Sequence, residues 1–305
     1  MASKAKYLPQ RIACLSTESV EVMYALGEED RVVGISGFTT RPARARKEKP
    51  RISGFSTARI DKILAVKPDL VLAFSDLQGD ICRDLVKAGI AVHHFNQRSV
   101  AEILAMITTV GNLVGAQDRA AQLVAKLEAQ IVIVREAAAT LPRRPRVYFE
   151  EWDEPMISGI QWVSELIAIA GGEDVFSELA IKRSAKERIV EKSALVIRRP
   201  DIVLASWCGK KFQPARFYER FAGHDFPALA ANQVHEIKSA YILSPGPAAI
   251  ELGLPQIANI IHAWANKAET QYPVGGLFAR LSGCRGGAVN QVNAVDHQRA
   301  TDEKA

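Results

Sequence analysis

The sequence has no apolar run approaching the ~18 to 20 residues needed to cross a bilayer, so no membrane-spanning helix is expected. Its opening, Met1-Ala2-Ser3-Lys4-Ala5-Lys6-Tyr7, is basic, but no apolar stretch of the roughly 7 to 15 residues that a secretory signal needs follows before Pro9. From this start alone a cytoplasmic protein is expected. Cysteine is scarce and scattered: Cys14, Cys82, Cys208 and Cys284 lack the close pairing of a zinc site or a disulfide framework. Gly-x-x-x-x-Gly-Lys-Ser/Thr, Gly-x-Gly-x-x-Gly and Gly-x-Ser-x-Gly are all missing. The six histidines, including His93 and His94, lack metal-ligand spacing. These absences predict a protein that is not an enzyme and has no cofactor or metal of its own. Charge of one sign is only mildly in excess, with Lys plus Arg at 39 against Asp plus Glu at 34. That balance favours anionic partners but falls short of the dense basic stripe of a nucleic-acid binder, so none is expected.

What is present is a rhythm. In the first half, apolar runs over 11–15, 31–35, 70–74 and 90–95 read as strands. Between them lie helical patterns over 17–26 and 60–66, one capped by Asp76 and running to Lys87, and one opened by the capping box Ser99-Val100-Ala101-Glu102. Strands separated by helices make a parallel sheet with helices on both faces. The basic stretch over 41–51, with Pro42 and Pro50 inside it, reads as a solvated loop. From 118 to 140 there is no Gly or Pro, and Leu123, Leu127, Ile131 and Val134 recur at helical spacing. The second half restarts with strands over 146–150, 201–205 and 234–237. Helices are expected over 162–170, from the capping box Ser184-Ala185-Lys186-Glu187 to about Ile197, and over 248–265. From about Lys267 the chain turns polar and Gly-rich, and a disordered tail is expected.

An internal repeat decides the architecture. Lys67-Pro68-Asp69-Leu70-Val71-Leu72-Ala73 returns as Arg199-Pro200-Asp201-Ile202-Val203-Leu204-Ala205, 132 residues later. Gly27-Glu28-Glu29-Asp30-Arg31-Val32 is echoed by Gly171-Gly172-Glu173-Asp174-Val175, and Val92-His93 by Val234-His235. Three echoes in the same order predict an α/β protein of two similar lobes, each a mostly parallel sheet flanked by helices, joined by one long rigid helix. The expected divisions are a first lobe over 8–116, the joining helix over 117–141, a second lobe over 145–267 and the tail over 268–305. Ligands of such sheets bind beyond the carboxyl ends of the strands, which here would face an interlobe cleft.

The residues just after each strand are therefore the candidate ligand contacts. Aromatic walls are expected from Phe38 and Phe74 in the first lobe and from Trp152, Trp162 and Trp207 in the second. Charged contacts are expected from Arg41, Glu151, Lys210, Lys211 and Lys238, with Tyr241 beside them. Aromatic walls with a few charges suit a large, flat, partly apolar ligand bearing ionised groups. Glu150, Glu151 and Asp153 are read as partners for the cleft's own Arg and Lys, or for a basic group on the ligand. Cys208 has Lys210 and Lys211 nearby, a setting compatible with a thiolate, but no His and Asp or Asn signature of a nucleophile accompanies it.

Several of these segments resemble one family. Arg11-Ile12-Ala13-Cys14-Leu15 running into Glu18 and Tyr24-Ala25-Leu26-Gly27, the stretch Asp61 to Ala73, Ser158-Gly159, and Gly171 to Phe176 are similar to class III substrate-binding proteins. These serve ABC importers for iron-siderophores, haem and cobalamin. The resemblance covers about Arg11 to Trp264 and implies two lobes that move little on binding, no enzymatic activity, and a monomer. It also implies a small-molecule ligand, corrinoid or metal chelate, an ABC permease as partner, and a periplasmic location. Phe74 stands where cobalamin binders carry an aromatic residue, often tryptophan, and Lys238 where they carry an acid, which tilts the ligand towards an anion. By the same resemblance Asp80 and Glu219, one per lobe, would dock on the permease. The alternative reading is a cytosolic carrier or sensor of a similar ligand, or a chelatase-like enzyme on a related bilobal plan.

Overall fold

The computed structural model describes residues 7–266, so the expected tail over 268–305 lies outside the described residues. The first lobe is a parallel sheet of five strands: β1 (Ile12–Cys14), β2 (Val32–Ser36), β3 (Arg51–Ser53), β4 (Leu70–Phe74) and β5 (Ala91–Phe95), in the order β3-β2-β1-β4-β5. β4 is buried at all five positions, which is why its sequence shows no polar alternation. The second lobe holds β6 (Arg146–Asp153), β7 (Met156–Ser158), β8 (Glu173–Asp174), β9 (Ile202–Ala205) and β10 (Val234–Glu236). Its order is β10-β9-β6-β7, and β8 also pairs with β6. One edge of β6 thus serves two partners, parallel β8 against Arg146 and Val147 and antiparallel β7 against Glu150 to Asp153.

The repeat has a physical content. Lys67 and Arg199 both adopt left-handed backbone, at φ 48° and 44°. The proline follows, and then the aspartate braces the neighbouring strand. Asp69 accepts the amides of Gln10 and Arg11 at 2.7 and 2.9 Å, and Asp201 accepts that of Arg146 at 2.8 Å. Both halves therefore turn from helix to strand by the same device.

Helix Gln117–Ala139 runs 23 residues, about 35 Å at 1.5 Å per residue. It buries Leu127, Ile131, Val134 and Ala138. It packs on helix Val100–Val114 of the first lobe and on helices Gln161–Ile169 and Leu254–Ala265 of the second.

Three expectations are corrected. The basic stretch over 41–51 is not a plain loop: it holds helix Ala45–Glu48, anchored by buried Ala45, and enters β3 through buried Ile52. Asp76 is not a helix cap. Ser75, at φ 73°, accepts the Leu77 amide, Asp76 pairs with Arg98, and the α-helix begins at Gly79. The capping box at Ser184 and Glu187 forms, but it opens only the 3-10 turn Ala185–Arg188. Arg188 turns inward, Ile189 extends to bridge Ile157, and the helix proper is Lys192–Arg198.

Candidate functional site

β2 and β9 deliver loops to opposite sides of a cavity of about 550 Å³ between the lobes. Phe38 and Arg46 line it from the first lobe, and Lys210, Lys211, Glu236 and Lys238 from the second, with the edge of Trp207 at its floor. Phe38 is 61% exposed on the cavity wall.

The lysines are not equivalent. Lys210 is ion-paired with Asp153, and its ammonium sits 4.0 Å from the centre of the Trp152 ring and 4.8 Å from that of Trp207. Burial pushes the Asp153 carboxyl up, but the Lys210 and Arg216 charges outweigh it and hold the acid below its ordinary value. Arg46, Lys211 and Lys238 are exposed, and no carboxylate among the described residues pairs with them. The cavity wall therefore presents three uncommitted cations against one carboxylate, Glu236.

Beneath the cavity lies a buried polar anchor. Glu150 is fully buried and accepts from Arg220 at 2.6 and 2.7 Å, from Trp207 Nε1 at 3.0 Å and from Tyr148 Oη at 3.2 Å. Burial raises its carboxyl despite the guanidinium. Breaking such a pair costs about 3 to 5 kcal/mol, because one charge is left uncompensated in a dry interior.

Several candidates fall elsewhere. Trp162, 3% exposed, lies in the second lobe's interior and donates its indole N–H to Ile242 O at 2.8 Å, which corrects its assignment to the cleft wall. Phe74 is likewise 6% exposed and packs on Phe55. Trp207 does border the cavity, but it is only 1% exposed and packs edge-on against Phe212. Trp152 is half-buried against the same interior, with its Nε1 on Glu154 O. Glu151 is held bidentately by buried Arg188 at 2.7 and 3.2 Å. Arg41 turns to the rear, pairing with Glu21 at 3.1 Å and lying 5.8 Å from the Tyr241 ring centre. Tyr241 also has Lys238 at 6.0 Å. Burial and the Glu151 charge raise the Cys208 thiol, which works against a thiolate there. Asp80 is exposed and paired with Arg83 at 2.8 Å, while Glu219 is exposed in helix Pro214–Arg220.

Arg46 and Glu236 line the cavity and were not among the sequence-based candidates. Arg46 belonged to a basic stretch read as solvated surface, and its place soon after β2 was the available signal. Among the described residues, no group of three or more His, Cys, Asp or Glu side chains is placed to hold a metal ion.

The family described as periplasmic binding protein matches residues 12–241. The vitamin B12-binding protein of Vibrio campbellii is 26% identical over 258 residues, covering 80% of this chain and 86% of that protein. A possible iron-binding, periplasmic solute-binding protein from Staphylococcus epidermidis superposes with a TM-score of 0.72 at 20% identity, covering 83% of this chain and 99% of that one. A periplasmic haem-binding protein from Roseiflexus gives 0.69 at 21% identity, covering 85% and 99%. At these identities the solved structures speak for the fold.

Proposed function

Since this chain belongs to the periplasmic binding protein family, a family of non-enzymatic solute binders, we propose that it is the binding component of an ABC importer and holds an anionic corrinoid or iron chelate between its lobes. The observation that carries the anionic part is the set of uncommitted cations, Arg46, Lys211 and Lys238, drawn from both lobes onto one cavity. Phe38 supplies the exposed apolar surface that a macrocycle or aryl chelate would cover. The names of the curated relatives and of the structural neighbours support the ligand class. The experiment is native mass spectrometry and an absorption spectrum of protein purified from its own host. This is followed by titration with haem, whose propionates are ionised, and with cobalamin. Tight binding of the carboxylate-bearing probe supports the reading. Tight, salt-independent binding of cobalamin alone would remove the anionic part.

Asp80 and Glu219 are the proposed permease contacts, one exposed carboxylate per lobe. Reversing both charges should abolish stimulation of transport and leave ligand affinity unchanged, as read by a vesicle uptake assay beside a binding titration.

A further inference from the structure

Behind the cleft, helix Thr17–Ala25 of the first lobe meets the segment that leads from β10 to the closing helix. The joint contains two buried carboxyls, Glu18 at 3% and Glu21 at 7% exposure. A Cβ built on Gly246 would fall 2.5 Å from that of Glu18, so the segment's backbone lies directly on the helix. Glu21 Oε2 accepts the Ala248 amide at 3.2 Å, and Gln97 Nε2 donates to Pro245 O at 3.0 Å. Glu18 Oε1 has no hydrogen-bond partner among the described residues.

The charged groups around the joint can be counted. Arg41 faces it from the loop after β2 and is taken by Glu21 at 3.1 Å, with the Tyr241 ring beyond. The segment contributes Glu251, which Lys126 of the long helix holds at 2.6 Å. Below Glu18 lies Cys14, its thiol pushed up to about 12 by burial, with Lys49 acting on that thiol. At the rear opening Tyr24 donates to Glu48, Arg44 pairs with Glu29 and Glu48, and Arg119 pairs with Glu28. Arg41 is thus engaged by Glu21 and Lys126 by Glu251, and no cation is among the groups that act on Glu18.

We infer that Glu18 is a proton-controlled clasp between the lobes: its neutral carboxyl lets the 245–248 backbone lie on the first helix, and its ionisation loosens that joint. An ionised Glu18 would bury a charge with no cation left for it, and the way to hydrate it is to part the two elements. Burial pushes the carboxyls of both Glu18 and Glu21 up to about 7. In the unfolded chain a glutamate titrates near ~4.3, so between these values the fold holds a proton that the unfolded chain does not. The stabilisation is complete below the unfolded value and is lost as pH rises through about 7.

The test needs no ligand, so its outcome is separate from the function proposed above. Thermal unfolding of the full chain is followed at several pH values between acid and mild alkali, for the native protein and Glu18→Gln. The native melting temperature should fall as pH rises towards neutrality, and Glu18→Gln, which mimics the protonated acid, should flatten that fall and melt higher on the alkaline side. Exchange of the Ala248 amide, referenced to amides of the long helix, should accelerate over the same window in the native protein only. If Glu18→Gln does not fold, ¹³C titration of the native Glu18 carboxyl decides: a midpoint near neutrality supports the clasp, and an ordinary acidic one overturns it. Parallel melting profiles for the two proteins overturn it as well.

Discussion

Trp207 follows β9 directly, where a ligand contact is expected, yet its indole is committed inside the lobe to Phe212 and Glu150. Its replacement by Ala should cost about 3 to 5 kcal/mol of stability, mostly through the cavity it leaves and partly through the lost indole hydrogen bond to Glu150, and denaturant unfolding measures this. An unchanged midpoint would return the ring to the cleft. The opposite holds for Lys211 and Lys238, which nothing in the fold requires. Reversing both to Glu should leave the unfolding midpoint within about 0.5 kcal/mol and weaken binding of an anionic probe tenfold or more, by isothermal titration. Lys210, although adjacent to Lys211 in sequence, should behave differently, since removing it leaves Asp153 buried without its main cation. Composition announces that these residues are basic. It cannot say which of them an acid 57 positions away has already neutralised.

At the scale of elements, the Pro-Asp turn is the unit of construction in both halves. Asp69→Ala and Asp201→Ala should each destabilise the protein by about 1 to 3 kcal/mol, because strand-end amides lose a charged acceptor. Equilibrium unfolding of the two variants should give similar values, since the two aspartates perform one task. A large loss for one and none for the other would mean that the repeat is a likeness of sequence without a likeness of role. These turns were legible because four or five buried apolar residues follow each of them without interruption. β3 and β7 were not. Each is three residues long, offers one or two buried positions, and is set among charged or turn residues, so neither periodicity of two nor an apolar run can emerge. The helix expected from Ser184 fails for a related reason. Its capping box is a local signal and was correct, but Arg188 is drawn away from the helix by Glu151, 37 residues upstream. The site follows the same division. A cavity at the strand ends was to be expected from topology, whereas which aromatic rings face inward depends on how each lobe fills its interior.

For the whole molecule, the long helix acts as a strut with packing partners in both halves, and the cations stand on rims that it keeps apart. Fixed charges at an open mouth act before contact. Their field reaches roughly 8 Å at physiological ionic strength and about 30 Å in 0.01 M salt. A polyanion drifting past is therefore drawn in sooner in dilute medium than in brine, and electrostatic focusing of this kind raises association rates by about 10- to 1,000-fold. Rapid mixing with an anionic probe should show an association rate that falls steeply with added salt, while the dissociation rate changes little. Equal salt sensitivity in both rates would place the cations in the grip and not in the approach. For the anionic ligand proposed above, such a mouth is a collector before it is a clamp, and the speed of capture is set by the dissolved salt around it.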